Sequence, residues 1–447
     1  MIEVFKKIEK MYAVEDVIFD NEQVWSFLRN NYFSKTIESV SSSYIKKKER
    51  SLFFRLKLKL SHASYGFKNW FRKYDYIFFS DSQERILVDG YYKDKSVEHI
   101  LESHGYSKSL MIESPIPMHY SIEKVETKHI VSSELLSIIF GPLVRVVLLL
   151  KSKKVRLPIL DKINEEEKLE IEYGKIILSF LIRKKLYKIL FKIYKPKIVY
   201  VNCYYGKQEI IYAANELNIK TVEVQHGLIG REHYAYNISK KLDKKFFPHT
   251  LLCYGEYDKK IVMANPFVPF SEISPMGSYG LELLKVQRIP QELITLGMKY
   301  YKTVSISTQY TVEEELALFI KELAEENVNI GFFFSLRHYD KEYYKKFNMP
   351  NNVHLFYKQY SCYDILKVSD AHCTVYSTCA MEATYFKKRC ILVNLNGMSK
   401  KFIEVEESSN LSVVENKHDF LETLETEYIY EENRFYKILK GKEWLIK

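Results

Sequence analysis

The chain has 447 residues and a formal net charge of +10, with 47% hydrophobic and 28% charged residues. This balance excludes disordered and fibrous proteins, and the length exceeds what one ordinary hydrophobic core serves, so we expect two or three domains. The excess of positive charge is too small for the length to indicate a nucleic-acid-coating protein, and no nucleic-acid partner is predicted.

Short apolar runs ending in polar residues recur along the chain and alternate with helical patterns of about ten residues, which is typical of parallel βαβ units. The predicted strands are 76–80, 109–112, 197–202, 221–225, 250–254, 303–307, 330–335, 353–356, 372–376 and 390–394. The predicted helices between them are 208–217, 312–326, 363–368 and 378–386.

This series occurs once before about residue 280 and again after about residue 300, which predicts an α/β fold of two doubly wound, Rossmann-like domains facing a central cleft. We place an N-terminal domain at 1–285 and a C-terminal domain at 286–447. The last helix could pack back on the N-terminal domain.

Targeting signals are not expected. The N-terminal segment carries acidic residues early and has no apolar core of a signal peptide. The most apolar stretch, Leu135–Leu150, is interrupted by Gly141 and Pro142 and falls short of the roughly 20 residues that span a bilayer, so no transmembrane helix is predicted. The six cysteines have no metal-site spacing and are expected to be free thiols in a cytoplasmic protein.

Two basic clusters stand out, at Lys46–Lys73 and at Arg183–Lys197. In the second, Leu186, Ile189 and Ile193 recur at helical spacing between lysines, a basic amphipathic pattern. One interpretation is a solvated helix face. The other is a surface that rests on anionic lipid, which would make the protein peripheral on the inner face of the plasma membrane.

In parallel sheets, ligands bind beyond the carboxyl ends of the strands, so the residues that follow each strand are the candidates. After the strand at 221–225 come His226, Glu232 and His233, of which an imidazole could act as a general base. The alternative for His226 is a ring that caps neighbouring backbone. After the strand at 76–80, the segment 80–85 is either an acceptor loop or an ordinary polar turn.

The second half offers three more strand ends. Ser307 and Gln309 precede a helix whose predicted N-cap is Thr311, and the free amides of a helix start suit a phosphate. Arg337 and His338 follow the strand at 330–335, where an arginine can fork onto phosphate oxygens.

Ser377 and Thr378 begin the helix that carries Glu382. The two hydroxyls suit a diphosphate and the carboxylate suits ribose hydroxyls, although a Ser or Thr at such a position is often simply a cap.

Four segments, in this order, resemble bacterial capsule and O-antigen biosynthesis transferases of the GT-B fold, a group that includes the CDP-glycerol glycerophosphotransferases. The segments are Val222–Gly227, Ser307–Gln309, Ser335–Asp340 and Tyr376–Ala383. The resemblance covers about Lys195–Leu395. It departs from the family pattern at Ser335 and Tyr339, where the family has Lys and Pro, and this leaves the donor open.

The resemblance implies an acceptor-binding N-terminal half, a donor-binding C-terminal half and chemistry without a metal or other cofactor. The expected function is a glycosyltransferase that moves a sugar from a nucleotide-activated donor to a lipid-linked or growing surface glycan. His226 would be the base, with Glu232 and His233 as alternatives. A polyol-phosphate transferase, a sugar-nucleotide epimerase or a non-catalytic capsule-assembly protein are the other possibilities.

Overall fold

The structure, a computed structural model, describes residues 2–41, 52–231, 233–336, 341–402, 410–431, 433 and 435–437. The chain divides into two compact units between Gly280 and Leu281, within a helix that also contains the predicted boundary at 285/286. The final helix that could pack back on the first unit lies outside the described residues.

Unit 1 is built on a seven-stranded sheet with the order β11-β10-β9-β8-β3-β6-β7, in which every pair is parallel. The strands of the unit, including two short antiparallel hairpins, are β1 (Ile18–Phe19), β2 (Glu22–Gln23), β3 (Tyr76–Asp81), β4 (Arg85–Val88), β5 (Tyr91–Asp94), β6 (Ser109–Ser114), β7 (Ile130–Ser132), β8 (Ile198–Asn202), β9 (Lys220–Val224), β10 (Thr250–Cys253) and β11 (Glu272–Pro275). Its helices are α1 (Ile2–Met11), α2 (Trp25–Ser41), α3 (Leu52–Ala63), α4 (Glu98–His104), α5 (Glu134–Lys151), α6 (Pro158–Glu166), α7 (Tyr173–Tyr194), α8 (Gln208–Asn215), α9 (Glu256–Met263) and α10 (Tyr279–Val286), the last crossing into unit 2.

Unit 2 has a six-stranded parallel sheet with the order β14-β13-β12-β15-β16-β17. Its strands are β12 (Lys302–Ser307), β13 (Ile330–Ser335), β14 (Val353–Phe356), β15 (Ala371–Thr374), β16 (Arg389–Val393) and β17 (Leu411–Val414). Its helices are α11 (Gln291–Gly297), α12 (Glu313–Glu326), α13 (Lys341–Tyr344), α14 (Cys362–Val368), α15 (Cys379–Tyr385), α16 (Met398–Phe402) and α17 (Lys417–Glu425).

Each sheet is covered on both faces, which explains its continuous apolar strands. In β3, Ile77 and Phe79 enter one core and Phe78, between them, enters the core on the other face. In β13, Phe332 and Phe333 separate in the same way. Successive side chains of a strand point to opposite faces, so a strand buried on both sides reads as an unbroken apolar run.

The ten predicted strands and four predicted helices all exist, and the predicted α/β fold of two Rossmann-like units is confirmed. In both parallel sheets the strand order reverses beside the first strand of that sheet, between β3 and β8 in unit 1 and between β12 and β15 in unit 2. These are topological switch points, where doubly wound sheets bind ligands beyond the strand ends.

The expected interruption at Gly141 and Pro142 is wrong, because α5 continues through Pro142 to Lys151. A proline removes one helical hydrogen bond, yet α5 continues, with Phe140 packed against the core before it and Val144 buried after it. With the turn that follows it, α5 is long and apolar enough to cross a membrane by length and composition alone.

Candidate functional site

The switch point of unit 1 carries a lysine that joins the two strands on either side of it. The Nζ of Lys207 donates to Asp81 Oδ2 (3.2 Å), which ends β3, and to Asn202 Oδ1 (2.8 Å), which ends β8. It also donates to the Asn202 carbonyl (3.1 Å). Lys207 therefore fixes a positive charge in the crevice where such a sheet binds ligands.

His226 follows β9, the strand next to β8, and lies beside this lysine. Its Nε2 is 3.3 Å from the Tyr205 hydroxyl, and its buried Nδ1 makes no hydrogen bond to any described residue. The ring therefore does not cap backbone. Burial, followed by the charge of Lys207, lowers the pKa of His226 to about 4, so the imidazole is neutral at physiological pH.

The three predicted base candidates differ in what the structure shows. His233 also lies near Tyr205, whose ring centroid is 5.9 Å from that of His226 and 5.5 Å from that of His233. Burial lowers the pKa of His233 to about 4 as well. The structure thus brings His226 and His233 together around one tyrosine, whereas Glu232 lies outside the described residues.

Gln225, the residue before His226, is a structural clamp. Its Oε1 accepts from the Tyr254 amide (2.7 Å), while its Nε2 donates to the Gly227 carbonyl (2.7 Å) and to Asp258 Oδ1 (3.1 Å). These contacts tie the end of β9 to the end of β10. The bonds of Gln225 therefore stabilise the backbone of the Gln-His-Gly turn that carries His226.

The polar segment 80–85 is mostly interior, and of its six residues Gln83 is the exposed one. Arg85 is buried and its Nε donates to Glu113 Oε2 at 2.5 Å. Ser80 donates to Asp94 Oδ2 (2.6 Å) and receives a hydrogen bond from Asn202 (3.2 Å). Buried charges must be paired in this way, and Asp81, through Lys207, is the member of the segment that reaches the crevice.

Ser307 and Gln309, the predicted phosphate-site residues, lie at the switch point of unit 2, and both are engaged within the protein. Ser307 Oγ lies 3.1 Å from Nε2 of His372, a buried histidine of β15. Gln309 Nε2 donates to Thr374 Oγ1 (2.7 Å), and its Oε1 accepts from the Tyr376 amide (3.4 Å). Gln309 therefore braces the end of β12 against the end of β15.

The predicted phosphate and ribose residues lie just beyond β15. Ser377 Oγ accepts from the Cys379 amide (3.3 Å) and so caps α15, and Thr378 occupies the N-cap position. Glu382, in the first turns of α15, accepts from the Tyr363 hydroxyl (3.1 Å). Arg337 and His338 lie outside the described residues.

One small cavity of about 10 Å³ joins several of these groups, since Ser307, Ser335, His372, Tyr363 and Glu382 all line it. That volume accommodates about one water, so a nucleotide would have to bind over the rim formed by the strand ends.

The predicted N-cap Thr311 is wrong, because residues 310–312 form a 3₁₀ turn and α12 begins at Glu313.

Sequence reasoning missed Lys207, Asn202 and Tyr205 in unit 1 and His372 and Thr374 in unit 2. The same strand-end rule that selected His226 applies to β8, whose carboxyl end is Asn202. Asn202 and Lys207 could therefore have been found from the sequence. Their pairing with Asp81 could not, since Lys207 and Asp81 are 126 residues apart.

A larger cavity of about 660 Å³ opens beside the loop that follows His226. Its wall includes Arg231, Tyr234 and Asn237 from the loop and Phe5 and Glu9 from α1. Glu9 is buried and accepts from Arg29 (3.0 Å) and Ser239 (2.6 Å).

Among the residues the structure describes, no group of three or more His, Cys, Asp or Glu side chains is arranged to hold a metal ion.

These two parallel sheets with flanking helices define a Rossmann-like, two-domain α/β protein of the GT-B-like kind. The UDP-GlcNAc 2-epimerase from Neisseria meningitidis, solved bound to UDP-GlcNAc, matches with a TM-score of 0.50 at 12% identity, over 81% of this chain and 94% of that chain. The UDP-GlcNAc 2-epimerase from Methanocaldococcus jannaschii gives a TM-score of 0.49 at 13% identity, over 83% and 97% of the two chains. No protein-family model and no curated protein matches the chain.

Proposed function

We propose that this protein acts on nucleotide-activated sugars, and specifically that it is a glycosyltransferase that adds the sugar to a lipid-linked or growing surface glycan. The observation that carries the proposal is the neutral imidazole of His226, held beside Lys207 at a topological switch point with its Nδ1 unpartnered among the described residues. A buried ring nitrogen without a partner is costly unless a ligand uses it.

The fold likeness to the meningococcal epimerase, solved with UDP-GlcNAc, supports a nucleotide sugar as the substrate and UDP as the first nucleotide to test. In the proposed complex, unit 2 binds the donor at the ends of β12 and β15. Ser377, Thr378 and the amides of α15 would contact the diphosphate, Glu382 the ribose, and Arg337 and His338 the phosphate charge.

In the proposed reaction an acceptor hydroxyl oxygen attacks the anomeric carbon, and the bond from that carbon to the diphosphate oxygen breaks. The nucleoside diphosphate leaves with the bonding electrons. The acceptor proton passes to Nδ1 of His226, which is available if the Nε2–H donates to Tyr205.

The capsule-family resemblance supports a transferase, and the cytoplasmic side of the plasma membrane is the proposed location because lipid-linked acceptors lie there. The fold likeness favours a second candidate, a sugar-nucleotide 2-epimerase. An epimerase would invert the sugar of the UDP-sugar and would need no glycan acceptor.

The test uses the full chain with UDP-GlcNAc, in the presence and absence of bacterial membranes that contain lipid-linked glycans. We expect UDP to raise the melting temperature more than CMP, CDP or GDP, and UDP release to depend on the membranes. His226→Ala should lower turnover by about 10²–10⁴-fold while the UDP-induced thermal shift is unchanged. His418→Ala, at an exposed position of α17, is the control and should retain full turnover.

The outcomes separate the candidates. A UDP-sugar inverted at C2 in the absence of membranes would identify an epimerase instead. Consumption of CDP-glycerol with transfer of glycerol phosphate would identify a polyol-phosphate transferase. The absence of any thermal shift with all four nucleotides would contradict the proposal altogether.

A further inference from the structure

Helix α5 of unit 1 is strongly apolar but is not a core helix. An 18-residue stretch of the segment Glu134–Lys154 has a mean hydropathy of 2.0, yet only 11% of that stretch is buried. Leu136 and Val144 are its buried residues. A helix of this composition in a protein interior would be buried nearly all round, so the apolar surface of α5 faces outward.

The two sides of α5 are distinct. Phe140 and Leu148 pack against the core of unit 1, and the Phe140 ring lies 5.5 Å from the ring of Tyr187 in α7. The opposite side carries a continuous apolar stripe at helical spacing. Its members and their exposed fractions are Ile139 (58%), Leu143 (48%), Val146 (54%), Leu149 (86%) and Leu150 (66%).

Cations predominate beside this stripe. Arg145, Lys151, Lys153, Lys154 and Arg156 lie within or just after α5, all five are exposed, and Arg156 also pairs with Asp161 at 3.8 Å. From residue 135 to residue 160 the sequence contains no Asp or Glu. An apolar face flanked by Lys and Arg is the composition of a helix that lies in the interface of an anionic bilayer.

Other elements of unit 1 also expose apolar residues beside basic ones. The 3₁₀ turn Phe67–Phe71, which follows α3, exposes Phe67 (45%) and Phe71 (78%) beside exposed Lys68 and Arg72. This turn is tied to the end of α7 by a hydrogen bond from the Tyr194 hydroxyl to the Trp70 carbonyl (2.5 Å).

Among the described residues of the two predicted basic clusters, some lysines are exposed and others are held in ion pairs. In α7, Ile189 and Ile193 are exposed together with Lys185 and Lys192. Other lysines of this segment serve ion pairs, such as Lys188 with Glu216 (3.0 Å). Within the first cluster, residues 46–51 lie outside the described residues, while Lys57, Lys59 and Lys73 are exposed.

We propose that α5 is an interfacial membrane helix, with Leu143, Val146 and Leu149 inserted at the boundary of headgroups and acyl chains of an anionic phospholipid bilayer. Arg145 and the cations after Leu150 contact the lipid phosphates. Because Phe140 and Leu148 keep one side of α5 on the protein, the helix lies in the plane of the interface and does not span the bilayer.

A second copy of the chain fits this surface less well. A parallel pair of α5 faces would bring Arg145, Lys151, Lys153 and Lys154 near the identical cations of the other copy. Lipid phosphates neutralise the same charges. The inference goes beyond the proposed function and does not depend on it.

The test is flotation of the full-length protein with vesicles of phosphatidylcholine alone and of phosphatidylcholine mixed with phosphatidylglycerol, without nucleotide or acceptor. We expect flotation with the anionic vesicles, weakened by salt and much reduced on the neutral ones. Leu143→Gln/Val146→Gln/Leu149→Gln should lower partitioning at least about tenfold. Lys153→Glu/Lys154→Glu should lower it at least about 25-fold, at roughly fivefold per cation lost.

Matched controls carry the same substitutions elsewhere. Met298→Gln/Val328→Gln changes exposed apolar residues of unit 2, and Lys108→Glu/Lys124→Glu changes exposed lysines of unit 1. Both should float as the wild type does, and all variants should keep the wild-type circular dichroism spectrum.

Three results would overturn the inference. One is equal flotation of the wild type and both α5 variants. Another is a wild-type dimer that the triple glutamine variant converts to a monomer, which would assign the stripe to a second copy. The third is retention in membranes after an alkaline carbonate wash, which would indicate a spanning helix. Since no enzymatic step is measured, failure here leaves the proposed activity untouched.

Discussion

The ammonium of Lys207 links three groups that a ligand at the unit 1 switch point would meet. Its hydrogen bonds reach Asp81 and Asn202 at the ends of two adjacent strands. Its charge is also the largest electrostatic contribution, after burial, to the low pKa of His226. Lys207 therefore connects the two strand ends and, after burial, contributes to the low pKa of the candidate base.

This coupling predicts the direction of a pKa change. In Lys207→Met the cation that disfavours the imidazolium is lost, and Asp81, which favours it, remains without that partner, so the pKa of His226 should rise from about 4 towards 6.5. The measurement is a titration of the His226 ring protons by NMR on the full-length protein.

Lys260→Met, at an exposed position of α9, is the matched control and should leave the His226 titration unchanged. A His226 pKa that stays near 4 in Lys207→Met would show that burial alone sets it. Because the readout is a titration, the result does not depend on which reaction the protein catalyses.

Among the strands of the two parallel sheets, sequence patterning identified every interior strand and one edge strand, β14, and missed the other three edge strands. β7 and β11 are the edges of the unit 1 sheet, and β17 is an edge of the unit 2 sheet. β11 contains Pro275 and has no buried residue. An edge strand is paired on one side and less buried, so its sequence does not need the continuous apolar run that identifies an interior strand.

The residues of the candidate site also divide into features that the sequence identifies and features that it does not. Ser307, Gln309, Ser377 and His226 could be selected because each lies at or just after the end of a recognisable strand. The function of Gln309 could not, since its hydrogen bonds run to the end of β15, 65 residues away. Sequence patterning finds strand ends but does not reveal which strands are neighbours, and the switch point depends on that.

Gln309 tests whether the brace between β12 and β15 shapes the site. Gln309→Leu removes the hydrogen bonds to Thr374 and Tyr376, and leaving such groups unpaired should lower the free energy of unfolding by about 1–3 kcal/mol. We expect the UDP-induced thermal shift to decrease as well, because the strand ends separate. Urea unfolding of the full chain measures the first effect and thermal shift the second.

Gln359→Leu is the control, since Gln359 is exposed and donates to the adjacent Tyr360 at 3.4 Å. It should change neither quantity. An unchanged unfolding free energy in Gln309→Leu with complete loss of the UDP effect would contradict the brace and would indicate a direct contact with the nucleotide.

At the scale of the whole molecule, the chain consists of two units that each bury their own sheet. The cores of unit 1 contain Phe78 and Phe79 on opposite faces of its sheet, and those of unit 2 contain Phe332 and Phe333. A unit with a complete core can unfold as a unit of its own. The chemistry proposed for the protein also separates along this division, with the donor assigned to unit 2.

Thermal unfolding of the full chain should therefore show two calorimetric transitions. Leu28→Ala in unit 1 and Leu316→Ala in unit 2 truncate leucines that are both 0% exposed, and each should destabilise its own unit by about 2–5 kcal/mol. Each variant should lower one transition and leave the other in place, which assigns the transitions to the units. We then expect UDP to raise the temperature of the transition whose temperature Leu316→Ala lowers. A UDP effect on the transition sensitive to Leu28→Ala would place the nucleotide in unit 1, and a single transition lowered by both variants would show that the two units unfold together.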